Sequence, residues 1–256
     1  MESPTNGDAQ FKAGDFDAAT ARQLRDAGDF DAALEAYSKA IESDPSNATL
    51  YLERGIVSVD LGMDERALED YTKAIELDPA DALAYYKRGV IRHVHDNAEQ
   101  AIEDYTKAIE LDPHHAMAYN NRGVLLQARE DLDGAIEDYT KAIEIDHSDA
   151  MAYNNRGLVW QEKEDLDRAI ADFTKAIEID PDNATVYNNR GFALRIKSRM
   201  VMVAAVDDFT KAVEISPPYA AAYNNRGYAL KELGDTYNAQ KDFNEARHLD
   251  PSLRIE

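Results

Sequence analysis

Cysteine is missing altogether from the 256 residues, which excludes a disulfide framework, a thiolate nucleophile and a cysteine metal site. That absence does not choose a compartment. No apolar run approaches the roughly 18 residues that a membrane-spanning helix requires. The opening MESPTNGDAQ has neither the basic end nor the apolar stretch of a secretory signal. Cations are scarce: 28 lysines and arginines against 50 acids leave a net charge of −22. Such a balance opposes binding to phosphate backbones and anionic membranes, where cationic patches supply the attraction. It could suit a basic partner, although acidity more often serves solubility. No phosphate-cradling glycine loop and no catalytic triad pattern is found. The expectation is therefore a soluble, cytoplasmic protein that binds no nucleic acid, inserts in no membrane, needs no cofactor and is not an enzyme.

What the chain does have is repetition. The pentapeptide YNNRG occurs four times, beginning at Tyr119, Tyr153, Tyr187 and Tyr223, with spacings of 34, 34 and 36 residues. A shift of 34 residues also aligns Tyr51 and Tyr85 with these tyrosines, and Gly55, Gly89, Gly123, Gly157 and Gly191 with one another. Alanine recurs at Ala67, Ala101, Ala135 and Ala169, an aromatic at Tyr71, Tyr105, Tyr139 and Phe173, and a second alanine at Ala74, Ala108, Ala142 and Ala176. Proline closes most units, from Pro45 to Pro251, with His147 the exception. A period of this length marks an array of stacked supersecondary units.

Each unit reads as two helices. DYTKAIELDP places Tyr71, Ala74 and Ile75 on one face at helical spacing. The Asp-Pro that follows ends the helix, because the residue before proline is pushed out of the α region. Glycine and alanine at fixed places let the two backbones approach closely. This pattern resembles the tetratricopeptide repeat, with arginine where that family usually has leucine at position 7 of the unit. The resemblance implies an all-α, right-handed superhelical solenoid of antiparallel helix pairs. It implies a single domain over 14–251 after a polar tail at 1–13. The seven units run 14–47, 48–81, 82–115, 116–149, 150–183, 184–219 and 220–253, the last at full length past Pro251. Gln240 and Arg247 replace apolar residues in the last unit, as a polar terminal repeat should, so the array is expected to be complete.

Two readings compete for Arg54, Arg88, Arg122, Arg156, Arg190 and Arg226: a ligand-binding ladder or internal ties. The same six units carry an aspartate at unit position 23, from Asp70 to Asp242, and the first unit lacks both residues. Arginine and aspartate come and go together, which favours a pair joining the two helices of a unit.

In tetratricopeptide arrays the first helix of each unit lines the concave surface, chiefly through positions 2, 5, 6, 9, 12 and 13. On that resemblance the groove positions of this chain sum to a charge of about −1, so its acidity sits on the exterior. The groove centre is amide and apolar instead. Its expected peptide-binding residues are Asn120, Asn121, Asn154, Asn155, Asn188, Asn189, Asn224 and Asn225, with Met117, Met151, Val124, Leu158, Phe192 and Tyr228. An asparagine side chain can pair with a peptide N–H and C=O without reading side chains. The arrangement is similar to the asparagine ladder of the tetratricopeptide domain in O-linked N-acetylglucosamine transferase, which makes Asn121, Asn155, Asn189 and Asn225 the rungs. The competing reading is that some of these amides merely bond neighbouring helices. The carboxylate clamp of chaperone-binding members is not matched: the corresponding windows hold Ala18, Arg22, Glu53, Leu83 and Lys87, or Asn120, Val124, Asn155, Thr185 and Asn189.

The two extra residues before the last YNNRG fall in LRIKSRMVMVAAV. Arg195, Lys197 and Arg199 precede Met200, Val201 and Met202, which suggests a second contact site. The alternative is a longer first helix whose apolar residues tuck into the stack. His93, His95, His114 and His115 lack zinc-like spacing, and Trp160 is expected in the core. The functional expectation is a non-enzymatic scaffold or adaptor that holds an extended protein segment in its concave groove. The alternative is a structural subunit or assembly factor, binding through its edges or by self-association.

Overall fold

The computed structural model describes residues 18–197 and 201–253. The polar tail, with the residues that open the first unit, and the insertion residues Arg199 and Met200 lie outside that range. Among the described residues there are fourteen helices and no strand. They run α1 (Ala18–Asp26), α2 (Phe30–Ser43), α3 (Ala48–Asp60), α4 (Asp64–Leu77), α5 (Ala82–Val94) and α6 (Ala98–Leu111) in a first unit that ends at His114. The second unit, from His115, holds α7 (Ala116–Ala128), α8 (Leu132–Ile145), α9 (Ala150–Glu162), α10 (Leu166–Ile179), α11 (Ala184–Lys197), α12 (Met202–Ile215), α13 (Ala220–Leu233) and α14 (Thr236–Leu249). Within each unit the helices pack as consecutive pairs, and each pair packs on the next.

Local chemistry sets the ends. Asp29, Asp131, Asp165 and Asp235 accept the N–H three residues on and so cap α2, α8, α10 and α14. Asp81 and Asp149 do the same for α5 and α9. At the other end Asp78 takes an extended φ of −132° after α4, the conformation that Pro79 imposes on its neighbour.

The core is a repeated sandwich of small and aromatic residues. Ala67, Tyr71 and Ala74 on α4 are buried, as are Ala169, Phe173 and Ala176 on α10. The aromatic ring lies on the backbone of the paired helix: a Cβ added at Gly157 would sit 2.7 Å from Cε1 of Phe173, inside contact distance. Glycine is thus required there by proximity. Burial of Tyr71 and Tyr139 pushes both phenols above their ordinary pKa, so they stay neutral. Trp160 is partly buried against the α9–α11 core, with the Arg168 guanidinium 4.5 Å from its ring. Gln240 and Arg247 are exposed on α14.

Between the helices of six of the pairs the chain turns through a left-handed residue. Gly28, Gly62 and Gly234 fill that place in three units, but Asp96, Glu130 and Glu164 fill it in three others with φ of 58°, 64° and 62°.

Helix α11 is described over 14 residues against 13 in α9. Met202 opens α12 as Leu166 opens α10, so the register is restored there.

Candidate functional site

The arginine of each YNNRG is an internal tie. Arg156 donates from Nε and Nη2 to the two carboxylate oxygens of Asp172, both at 2.8 Å. The same fork joins Arg54 to Asp70, Arg88 to Asp104, Arg122 to Asp138, Arg190 to Asp208 and Arg226 to Asp242. Arg92 adds a second cation to Asp104 at 2.8 Å. The remaining nitrogen reaches backwards: Nη1 of Arg156 donates to Thr140 at 3.0 Å, Nη1 of Arg190 to Thr174 and Nη1 of Arg226 to Thr210, both at 3.2 Å. One guanidinium thereby holds its own pair together and fastens it to the preceding pair. Hydrogen bonds to the aspartates hold Arg122, Arg156, Arg190 and Arg226 above the ordinary arginine pKa, so these ties stay charged. Each guanidinium also sits over the tyrosine three residues earlier, 5.7 Å from the ring for Arg156 and Tyr153.

The asparagines of the second unit form a chain of their own. Asn155 donates from Nδ2 to Oδ1 of Asn120 at 3.2 Å, Asn189 to Asn154 at 3.0 Å, and Asn225 to Asn188 at 2.9 Å. Every bond links the first helix of one pair to the first helix of the next, where α7, α9, α11 and α13 touch in succession. Asn121, Asn155, Asn189 and Asn225 are half-buried. Asn154 and Asn224 are half-buried too, but Asn120 and Asn188 are only 7% and 9% exposed. These two, expected on the binding face, are instead enclosed as acceptors between neighbouring helices. The Oδ1 atoms of Asn189 and Asn225 accept no hydrogen bond among the described residues.

Around the amides, Met117 and Met151 are exposed, and Val124, Leu158, Phe192 and Tyr228 are half-buried. A cavity of about 620 Å³ lies beside Met151, Asn154 and Asn155. Another of about 820 Å³ is lined by Leu158, Phe192 and Ile196 with Gln127, Gln161 and Glu162. The first unit presents a different surface. Glu53 on α3 is pinned by Arg25 and, at 3.4 Å, by Arg22 of α1, and Lys87 lies 6.0 Å from the Tyr86 ring.

The second contact site is reduced by the structure. Met202 is 2% exposed and belongs to the core with Ala205 and Phe209, because it fills the place of a core leucine. Val201 is half-buried. Arg195 pairs with Glu232 at 3.2 Å and lies over the Phe192 ring, and Lys197 pairs with Asp167. Arg199 and Met200 lie outside the described residues. His95 bonds Asp64 at 2.9 Å, while Nδ1 of His115 accepts the Ala118 N–H at the start of α7.

Comparison with known proteins agrees with this geometry. Residues 82–115, 116–149 and 150–183 match a family model described as tetratricopeptide repeat. Residues 21–62 and 57–93 match a TPR repeat model, and 220–252 a further tetratricopeptide repeat model. No curated protein matches the chain. Among solved structures, it is similar to YrrB, a TPR protein with an unusual peptide-binding site: 28% identity over 74% of this chain and 96% of that one, with a TM-score of 0.64. MamA is 34% identical over 64% of this chain and 96% of its own, with a TM-score of 0.60. A tetratricopeptide repeat protein from Parabacteroides merdae shares the fold at 22% identity, covering 91% of each chain with a TM-score of 0.66.

Proposed function

The chain belongs to the tetratricopeptide repeat family, and from that premise we propose that it is a non-enzymatic adaptor that holds an extended protein segment against α7, α9, α11 and α13. The fold supports a protein–protein interaction scaffold in general; the segment and its site are the proposal. One observation carries it. Three of the four rung asparagines, Asn155, Asn189 and Asn225, spend an N–H on the amide of the preceding pair, and that bond fixes the side chain in one orientation. At Asn189 and Asn225 the carbonyl oxygen takes no hydrogen bond among the described residues, which leaves it available to a backbone N–H. Bonding between helices and binding of a segment are thus compatible uses of one side chain. Preorganised amides save part of the ordering cost of binding. The exposed methionines Met117 and Met151 add adaptable apolar contact beside the amides. The unusual peptide-binding site of YrrB lends the reading support by likeness.

The test is replacement of Asn121, Asn155, Asn189 and Asn225 by alanine, followed by affinity capture from the native source. Partner capture is expected to fall at least tenfold while the helical signal is retained. Unchanged capture would remove the groove from the function and point to assembly through the edges or to self-association.

A further inference from the structure

The cavity between α9 and α11 has a feature that the asparagine row does not explain. Its floor is apolar, made by Leu158, Phe192 and Ile196, and Ile196 is 50% exposed with nothing covering it. Its remaining lining includes Glu162 and Glu164, with no lysine or arginine among the lining residues. Elsewhere on these helices, acids near a helix junction are met by a cation from an adjacent pair: Asp133 by Lys163 at 2.6 Å, Asp167 by Lys197, and Glu232 by Arg195 at 3.2 Å. The cations nearest in sequence to Glu162 and Glu164 are committed elsewhere, Lys163 to Asp133, Arg156 to Asp172 and Arg168 to Asp165. Among the described residues neither glutamate has a cationic partner, and Glu162 receives only the Gln127 amide at 3.2 Å. Apolar floor and unneutralised carboxylates occur together in one concavity of about 820 Å³, within the roughly 300–1,000 Å³ typical of ligand clefts. The cavity beside Met151 is different, because Asp146, Asp149 and Asp180 there brace the amides of their own loops.

We infer that this cavity takes a bulky apolar side chain of the bound segment, and that the segment carries lysine or arginine within a few residues of it. The inference rests on the groove reading above and specifies the partner's chemistry. The apolar anchor supplies area removed from water, and the basic neighbour meets Glu162 and Glu164 at the rim.

The experiment pans a phage-displayed library of random twelve-residue peptides on the full chain, and measures the enriched sequences as labelled peptides by fluorescence anisotropy. Enrichment of Trp, Phe or Leu with a basic residue within three positions is expected. Ile196→Ser and Glu162→Lys should each weaken those peptides at least fivefold, and both sites lie at the surface, so thermal melts should be unchanged. Raising the salt concentration should weaken binding further. Enriched peptides that are acidic or uncharged, or that bind Ile196→Ser as well as the parent, overturn the inference. If such peptides instead depend on the four rung asparagines, the groove reading stands and only this inference fails. No enrichment over a blank surface ends both.

Discussion

Arg156 and Asp172 meet fork to fork, with two hydrogen bonds of 2.8 Å between side chains that are 18% and 10% exposed. Removing either partner leaves the other charge largely out of water. Asp172→Ala is therefore expected to destabilise the protein by about 3–5 kcal/mol. Arg156→Ala together with Asp172→Ala should cost clearly less than the two single changes added. Urea titrations of the four proteins measure this, and simple additivity would show that the two side chains do not act as a pair.

Glu130 and Glu164 hold left-handed conformations that glycine adopts without penalty at Gly28, Gly62 and Gly234. A non-glycine residue there costs about 1–2 kcal/mol, part of which glycine loses again through the entropy of the unfolded chain. Glu164→Gly is expected to stabilise by up to about 1 kcal/mol, read as a higher melting midpoint. Gly62→Ala should shift the midpoint the other way. A fall in the midpoint with Glu164→Gly would mean that the glutamate side chain makes a contact worth more than its strain.

Met202 and Val203 are neighbours in sequence with opposite surroundings, 2% and 61% exposed. Met202→Ala is expected to cost about 2–5 kcal/mol, as a large side chain lost from a packed core. Val203→Ser should stay within about 0.5 kcal/mol of the parent. Thermal denaturation of both variants decides whether the insertion ends before Met202; equal effects would place the two in similar environments.

The helices, their pairing and the aromatic-on-glycine core were legible because each depends on contacts within one 34-residue period. The Arg–Asp fork was legible for a related reason: the pair seen at Arg54 and Asp70 recurs together, and both residues are missing from the first repeat, 14–47. The backward bond from Arg156 to Thr140 was not anticipated. Its two residues sit in different units, and threonine draws no attention in a helix, although Thr72, Thr140, Thr174 and Thr210 share one register. The offset of Asn155 from Asn120 was hidden in the same way, since the bond joins different positions of successive units. Met202 was left between two readings; counting back from Ala205 would have put it in the place of Leu166 and decided for the stack. The strain at Glu164 leaves no mark of its own; only the glycines at equivalent places betray it.

The backward reach of the arginine has a consequence for how such a chain can change. Every joint in the second unit uses the same grips: threonine to arginine, and asparagine to asparagine. Excision of residues 150–183 would set Thr140 opposite Arg190 and Asn120 opposite Asn189, partners of the same kind as before. Recombination between copies of one module can therefore lengthen or shorten the protein a step at a time, with no new joint to invent.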